Sequence, residues 1–570
     1  NGLHYFVQFD DSNTGNSEQT WNFGQKPFKF PPPAGFQPVN AANVRPETVI
    51  ARPDQFVQTT IWSGNDSNPR GISTPNLKPD LVWIKTRDAG YHHGLFDSVR
   101  GAGGAKRLYS DQTYAEGGTA GAEGTAYGEL SAFNNGGFTV NTGTTSDIWV
   151  NNSGNTYVAW SWKAGGNKNT FNVDDVGYAS ASDVNMNVGA LNSSAYDQTQ
   201  TWSNALASST GFRGSEPATN AFDGDTSSIC SAVGSGTITF TSPVTFSSDS
   251  TIRVIVHGGD TTVSVNGGAD QTISAGSLQT VTYSNSGNAT FIMTFVRGGG
   301  ADTGVRAVEI GGKLLVDNGV TPPNVPSIAA TGASVGTKQG FSIIKYTGNQ
   351  TDGATVSHGL GKIPHLIIVK SITDGTYEWG TLNVTPGTST GFSGGNLNDN
   401  ATVLDLSNGS RRAQSWHAAP TSSVFSLGVD GSSYTGTYNN NQAYIAYVWC
   451  DVPGLQKFGS YKGNNDDDGV FVELGFRPSI VVIKRADNTD DWFWYDGTRR
   501  PINVNSRYLR PNQSAVENPG DGSGTGLDLL SNGFKARSDS SAINNTETYV
   551  YAAWAEAPTV NLYGGQSNAR

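Results

Sequence analysis

Three short stretches decide the fold of this chain: PDLVWIK at 79–85, PHLIIVK at 364–370 and PSIVVIK at 478–484. Each is an apolar, largely β-branched run that begins with proline and ends with lysine. Proline suits the first residue of a strand and disrupts a helix interior, so each run predicts a strand. The same motif three times in one chain indicates an internal repeat.

Two further elements recur in the same order around this strand. An opening element ending in Gly-Asn reads FVQTTIWSGN at 56–65, FSIIKYTGN at 341–349 and, in shortened form, FGSYKGN at 458–464. A closing strand reads NTYVAWSWKAG at 155–165, QAYIAYVWCDVPG at 442–454 and ETYVYAAWAEAP at 547–558. These ordered landmarks predict three homologous domains, over 53–165, 338–454 and 455–560.

The composition supports β-structure. The 570 residues include 72 Gly and 24 Pro, and only 15% are charged, which is unfavourable for helix interiors. Aromatic residues make up 10% of the chain, which is too many for a disordered protein, and glycine shows no three-residue period that would indicate collagen. Repeats of this length and pattern usually form two-sheet sandwiches. The predicted fold class is therefore all-β, a multidomain string of β-sandwich or jelly-roll domains.

The region between the first two repeats differs from them. It is poor in tryptophan and contains short strand-like runs, among them GTITFTSPVTF at 236–246, TIRVIVHGG at 251–259 and ATFIMTFV at 289–296. We predict an inserted β-sandwich over 190–321, with a connection over 166–189 and a Pro-rich linker over 322–337. Proline fixes φ and removes a donor, so TPPNVP at 321–326 is expected to be stiff.

The two ends of the chain carry separate expectations. Residues 1–42 contain YFVQF and WNFGQKPFKFPPPAGFQPV, two strands and a Pro-rich exit that cannot bury a core alone. Residues 43–52 are predicted to be a linker. Since the chain begins with Asn1, we expect further N-terminal strands in the intact protein. Residues 561–570 follow the last closing strand as a C-terminal tail.

Charge and cysteine content narrow the possible partners. The net charge is −12 and no Lys/Arg-rich run occurs, so nucleic acid is not a predicted partner. No apolar run approaches the ~20 residues of a membrane-spanning helix. Cys230 and Cys450 lie far apart in different predicted domains, so two buried thiols are expected rather than a disulfide.

Several motifs together resemble those of virion proteins from marine, cyanophage-like tailed bacteriophages. NFGQKPFKF resembles the last strands of a SPRY-like sandwich, VWIK…LFDSVRG…YVAW resembles the domain that follows it, and GFRGSEPATNAFDGDTSS at 211–228 resembles the start of a discoidin-like jelly roll. The resemblance implies a role in virion structure. At the position of DSVRG, repeats two and three read WGTLNVTPG (379–387) and WYDGTRRP (494–501), so a role tied to that loop does not extend to them.

One aromatic segment is a candidate ligand-binding site. DWFWYDGTRRP at 491–501 places four aromatic residues beside Asp and Arg. Alternation along a strand predicts Trp492 and Trp494 on one buried face and the other two rings on the opposite face, where they could stack on a sugar ring. The competing explanation is a core role, which covers half of the residues of this segment. The predicted ligand-binding residues are Phe493, Tyr495, Asp496 and Arg499.

Three other groups contain residue types that can ligate metal ions. Asn220, Asp223 and Asp225 in NAFDGDTSS offer hard oxygen ligands around a glycine turn, which suits Ca²⁺; the alternative is an Asx-turn. The loop NNDDDG at 464–469 is predicted to be solvated. His92 and His93 are adjacent, and adjacent strand residues point to opposite faces, so packing or surface roles are predicted for them.

The sequence therefore predicts a virion structural or adhesion protein: a tail fibre, tailspike or capsid-surface fibre. Its expected partners are other virion proteins, further copies of itself with a trimer favoured, and a host-surface glycan or receptor. No Gly-x-Ser-x-Gly or His-Glu-x-x-His motif occurs, so an enzyme is not predicted. A glycan-degrading tailspike and a secreted bacterial adhesin are the alternatives.

Overall fold

The computed structural model shows an all-β, multidomain protein. It describes residues 50–118, 123–145, 149–181, 184, 200–246, 251–283, 290–298, 301–310, 313–320, 326–376, 379–383, 402–405, 416, 418–428, 441–486, 490–519 and 525–558. The predicted SPRY-like strands at 1–42 and the tail at 561–570 lie outside these ranges. Within them, the structure contains no helix that could span a membrane. The helices of the described ranges are α1 (Glu123–Tyr127) and single 3-10 turns at Pro53–Gln55, Gly104–Lys106, Trp202–Ala205 and Ala218–Ala221.

In the first repeat, the closing strand lies between the opening strand and the strand that ends in lysine. The antiparallel sheet has the order β1 (Val57–Ser63), β7 (Thr156–Trp162), β3 (Leu81–Thr86), β4 (Gly94–Asp97). A smaller sheet packs beside it in the order β2 (Arg70–Ser73), β6 (Gly137–Asn141), β5 (Glu129–Asn134). Proline-led β3 is buried along its whole length, as its apolar sequence requires.

The other two repeats have the same strand order. In repeat two it is β21 (Phe341–Thr347), β27 (Ala443–Trp449), β23 (Leu366–Ser371), β24 (Gly380–Asn383), β25 (Thr402–Asp405), with β22 (Thr355–Ser357) paired to β26 (Val424–Ser426). In repeat three it is β28 (Gln456–Lys462), β34 (Thr548–Pro558), β30 (Phe476–Arg485), β31 (Trp492–Asp496), with a smaller sheet of β29 (Phe471–Glu473), β33 (Gly533–Ala536), β32 (Leu527–Leu530).

The region between repeats one and two, here called the insert (190–321), has its own hydrophobic core. Apolar residues from two sheets meet in it, including Phe240 and Val254, and Trp202 of the 3-10 turn packs with them. One sheet has the order β10 (Leu206–Ser208), β12 (Ile238–Thr241), β17 (Ile292–Val296), β14 (Thr261–Val265), β15 (Gln271–Ile273). The other has β11 (Cys230–Ser231), β18 (Gly304–Ile310), β13 (Ile252–His257), β16 (Gln279–Val281), with β19 (Lys313–Leu314) beside β18.

The segments predicted as connections to the insert contain strands, here called the stem. They are β8 (Phe171–Val173), β9 (Val176–Tyr178) and β20 (Ala330–Gly336). β8 runs parallel to β20, and β20 pairs with β21 of repeat two, which extends that sheet to eight strands. The chain therefore leaves for the insert after β8 and β9 and returns from it through β20, and all three strands belong to one sheet.

The three repeats meet at three tryptophans, Trp162, Trp449 and Trp554, which occupy the same register position in the three closing strands. Their ring centroids are 6.3, 6.1 and 5.5 Å apart and their planes cross at 65–72°, the edge-to-face geometry that aromatic rings prefer. Each side chain is at most 3% exposed. The predicted domains are thus arranged around a pseudo-threefold axis as a ring with one shared core, which the sequence did not indicate.

The lysine that ends each repeated strand is also structural. Lys85, Lys370 and Lys484 are fully buried. Their ammonium groups donate to backbone carbonyls, at 2.7 Å to Thr86 in the first repeat and 2.8 Å to Thr113 in the second. Burial lowers the pKa of Lys85 to about 8, because the charged form loses its hydration. The repeated lysine therefore hydrogen-bonds a carbonyl beside its own strand end in repeats one and three, whereas Lys370 of repeat two bonds the carbonyl of Thr113 in repeat one.

The Gly-Asn of the opening element marks a close backbone contact. A Cβ on Gly64 would lie 1.8 Å from the carbonyl oxygen of Asn152, and one on Gly463 would lie 1.8 Å from that of Asn545. Only glycine fits there. The following residue, Asn65, accepts a hydrogen bond from Asn151 Nδ2 at 3.1 Å.

Removing one indole of the central triangle should destabilise the whole ring. We expect Trp162→Ala to lower the free energy of unfolding by about 3–5 kcal/mol, because it leaves a cavity where three repeats meet. Urea unfolding followed by circular dichroism measures this. The control is Ile502→Ala, whose side chain is 59% exposed and should change stability by no more than about 0.5 kcal/mol. Equal unfolding midpoints for the two variants would contradict a shared core.

Candidate functional site

The structure corrects the prediction for the aromatic segment, because it buries the sheet on both faces. Trp492 and Trp494 face the shared core, as alternation predicts. Phe493 and Tyr495 are 5% and 0% exposed and pack in a second core within repeat three, beside Tyr508. The prediction that Phe493 and Tyr495 bind a ligand is therefore wrong: a second core, which strand alternation alone does not predict, buries both rings, and they cannot stack on a sugar at the surface.

Asp496 and Arg499, predicted to contact a sugar, instead form a buried ion pair. Arg499 Nε lies 2.5 Å from Asp496 Oδ2, and both side chains are inaccessible to solvent. The same guanidinium donates at 3.1 Å to Glu517 and at 2.7 Å to the carbonyl oxygen of Trp494. The indole N–H of Trp160, from repeat one, donates to Asp496 at 3.1 Å. Every partner of this pair lies inside the protein, so its role is structural.

Repeat one contains the same network. Arg100 Nε lies 2.5 Å from Asp97 Oδ2, and its Nη1 donates at 3.0 Å to Glu116. Here the donor from the neighbouring repeat is Tyr447, whose hydroxyl lies 2.8 Å from Asp97 Oδ2. The element shared by the two repeats is Asp-x-x-Arg. The expectation that the role of the DSVRG loop does not extend to repeat three is therefore wrong, because Asp496 and Arg499 form the same pair there.

The hydrogen bonds between repeats follow one direction around the ring: repeat two donates to the aspartate of repeat one, and repeat one donates to the aspartate of repeat three. Tyr447 and Trp160 occupy the same register position in β27 and β7, and the corresponding residue of β34 is Ala552, which has no polar atom in its side chain. The position of Asp97 in repeat two is Asn383, whose Oδ1 accepts no hydrogen bond among the described residues. The buried acid and its aromatic donor are thus absent together, which avoids an uncompensated charge.

Glu517 joins repeats three and one. Its two carboxylate oxygens accept hydrogen bonds from Arg87 Nε and Nη2 at 2.9 Å each, and the pair is largely buried. Burial opposes ionisation of Glu517. The hydrogen bond from Arg87 and the charges of Arg499 and Arg87 outweigh that effect, so the pKa of Glu517 lies below its ordinary value of 4.5.

The predicted Ca²⁺ ligands are engaged in turns. Asp223 Oδ1 accepts the backbone N–H of Asp225 at 2.8 Å, and Asp225 Oδ1 accepts that of Ser227 at 2.8 Å. Asn220 Nδ2 donates to the carbonyl oxygen of Ile229. These contacts are the Asx-turn alternative. Among the described residues, no group of three or more His, Cys, Asp or Glu side chains could hold a metal ion.

The two adjacent histidines make different packing contacts. His93 is buried between repeats one and three; its Nδ1 accepts from Trp83 Nε1 at 2.9 Å and its Nε2 lies 3.0 Å from the carbonyl oxygen of Arg510. Burial lowers the pKa of His93 to about 3, so the ring is neutral. His92 Nδ1 lies 2.6 Å from Asp111 Oδ2. Both histidines have the packing roles that the sequence predicts.

The two cysteines are free and buried, as predicted. Burial raises the pKa of each thiol to about 12, which suppresses the reactive thiolate.

A cleft opens where the stem meets repeat one. It encloses about 460 Å³, within the range of small-molecule sites. Lys163 Nζ and Asp175 Oδ2 are 2.6 Å apart in it, and Lys338 Nζ lies 5.9 Å above the ring of Phe56. Sequence reasoning missed this cleft because its walls come from segments far apart in the chain. Its principal lining residues are Phe56, Lys163, Asp174, Asp175, Lys338 and Gln339.

One end of the insert carries a group of charged side chains. Arg213 pairs with Asp302 at 2.5 Å, and Arg297 Nη1 donates to the carbonyl oxygen of Asp302 at 3.2 Å. Arg306 Nη2 lies 3.1 Å from His257 Nδ1. Burial and the charge of Arg306 lower the pKa of His257, which favours its neutral form.

Comparison with known proteins identifies a family. The model of a domain of unknown function, DUF7483, matches residues 52–190 and 316–558, about two thirds of the chain. The chain belongs to the DUF7483 family. The match covers the ring and the stem. It does not include residues 191–315, which form most of the insert.

Comparisons with curated proteins and with solved structures do not identify a relative of known function. No curated protein matches the chain. Among solved structures, the arabinofuranosyltransferase AftD from mycobacteria aligns at 10% identity over 62% of this chain and 34% of that protein. The chain thus spans about a third of that enzyme's length. The TM-score of 0.15 is too low to support a common fold or function.

The contact between Arg87 and Glu517 should make stability depend on acid. Because the pKa of Glu517 is lowered on folding, its contribution is fully present above 4.5 and is lost as pH falls through the folded value. Near neutral pH we expect Glu517→Gln to cost about 3 kcal/mol, since Arg87 loses its carboxylate. Thermal unfolding from about pH 6 to about pH 3 should show the difference from wild type shrinking.

The matched control is Glu473→Gln, on an exposed position of β29. It should be close to wild type throughout this pH range. A constant difference between Glu517→Gln and wild type at every pH would contradict the assignment.

Proposed function

We propose that this protein is a structural and adhesion component of a virion, in which the ring is a base and the insert is displayed toward the host surface. The observation that carries the proposal is the way the insert is attached. The chain reaches the insert through the hairpin of β8 and β9 and returns through β20, which pairs with β8 and with β21 of repeat two. The insert itself has a separate core.

The polar groups of the ring support a structural role for it. The two Asp-x-x-Arg pairs, with Glu116 and Glu517, are bonded within and between repeats. A buried, fully partnered network of this kind specifies how the repeats meet. The repeats' shared features thus serve the assembly of the ring, and the insert is the added part of the chain.

The charged end of the insert is the surface proposed to face the host. Arg213 and Asp302 are partly exposed there, with side-chain exposures of 42% and 33%. Exposed guanidinium groups donate in a planar fork that suits carboxylate, phosphate or sulfate groups. A host-surface glycan or receptor bearing such groups is the proposed partner.

Deleting the insert should separate the two roles. In a variant with 190–321 replaced by a flexible Gly/Ser linker of about ten residues, the ring should keep its unfolding midpoint and lose binding to host cells. Labelled protein bound to cells, counted by flow cytometry, measures this. A double variant, Arg213→Gln with Arg297→Gln, should reduce binding if the charged end makes the contact.

The matched control is Lys168→Gln, an exposed lysine outside the insert, which should bind like wild type. Undiminished binding by the folded deletion variant would contradict display by the insert. Reducing ends released from host glycan during the assay would indicate a depolymerase instead.

A further inference from the structure

The cleft beside the stem is a separate feature from the insert. It is lined by residues of repeat one, by the turn between β8 and β9, and by the residues after β20. All of these lie outside 190–321, so the cleft is retained when the insert is removed. An inference about it does not depend on what the insert binds.

The acids of the cleft come from a tight hairpin. Asp174 and Asp175 are the two residues between β8 and β9, and both have positive φ, 48° and 68°. This is the backbone of a two-residue hairpin turn that matches the twist of its strands. Asp174 accepts two hydrogen bonds from Thr337, one from the backbone N–H at 2.9 Å and one from the side-chain hydroxyl at 2.5 Å. The carboxylates are therefore held at the edge of the cleft.

The charges of the cleft cancel. Two lysines, Lys163 and Lys338, stand against the two aspartates of the hairpin. Lys163 and Asp175 form an ion pair. Lys338 has no acidic partner within the described part of the chain, and its ammonium group lies over the ring of Phe56. A cleft with paired donors and acceptors and no net charge suits an uncharged ligand rich in hydroxyl groups.

The remaining wall groups fit such a ligand. Phe56 is partly buried against the shared core and Lys338 Nζ lies 5.9 Å from its ring centroid, so the C–H face of a sugar can pack on this ring when the Lys338 side chain turns toward the sugar hydroxyl groups. Gln339 is 4% exposed; its Nε2 donates to the carbonyl oxygen of Ala164 at 2.6 Å, which holds the amide in place. Asp175 keeps one oxygen beyond its ion pair as an acceptor, and Lys338 supplies a donor.

We propose that this cleft is a binding site for a neutral saccharide ring, with Phe56 as the stacking surface and Asp175, Lys163 and Lys338 as hydrogen-bonding partners for its hydroxyl groups. Under this proposal the saccharide binds to the ring and stem, at a site separate from the insert. It goes beyond the proposed function, in which the insert makes the contact with the host.

Saturation-transfer NMR on the full chain, followed by titration, tests the proposal. The probes are the methyl glycosides of glucose, galactose and mannose, with glucuronate as the charged comparison. We expect at least one neutral glycoside to bind with a dissociation constant in roughly the millimolar range, and Phe56→Leu and Asp175→Asn each to weaken binding at least about tenfold. Leucine keeps most of the packing of Phe56, and asparagine keeps the shape of Asp175.

The matched controls are Phe471→Leu and Lys168→Gln. Phe471 is a 42% exposed phenylalanine in repeat three, and Lys168 is an exposed lysine that does not line the cleft; both variants should bind like wild type. No signal from any neutral glycoside, or equal losses in cleft and control variants, would overturn the proposal. Glucuronate binding more tightly than every neutral probe would also overturn it. The deletion variant lacking 190–321 should bind the glycoside unchanged, so the two proposals fail separately.

Discussion

The contact on which the rest of the structure depends is the edge-to-face meeting of Trp162, Trp449 and Trp554. Because one indole comes from each repeat, the contact sets the position of the three sheets relative to one another. Each sheet then has one face toward the shared core and the other toward its own smaller sheet. Burial on both faces takes charged groups near the axis out of water, so the buried carboxylates and guanidinium groups need partners inside the protein. The indole N–H groups of the three tryptophans are neutral, and they have no hydrogen-bond partner among the described residues.

The Asp-x-x-Arg networks meet that requirement across the repeat boundaries. In two repeats the buried carboxylate accepts a hydrogen bond from the aromatic residue of a neighbouring closing strand, Tyr447 or Trp160. In repeat two the acid is replaced by Asn383, and the third closing strand carries Ala552. The buried charge and its aromatic donor are thus absent together at this boundary, which is consistent with the high cost of an unpaired buried charge.

Much of the fold could be predicted from local patterns, and the site could not. The proline-led strands, the closing strands and the insert follow from periodicity and repetition, which are properties of neighbouring residues. Alternation correctly separated Trp494 from Tyr495. It could not show that a second layer covers Tyr495, since that layer comes from Tyr508 and residues further along the chain. The cleft escaped prediction for the same reason, because Phe56 and Lys338 are brought together only by folding.

The sequence by itself determined that the chain is all-β, that it contains one unit three times and that a different domain interrupts the series. Those properties reside in composition, strand period and internal similarity. Only the tertiary structure decided that the three units form a ring, that Asp496 and Arg499 are interior ion-pair partners, and that a cleft lies beside the stem. The physical reason is that strand formation depends on neighbouring residues, whereas burial and pairing depend on which distant surfaces meet.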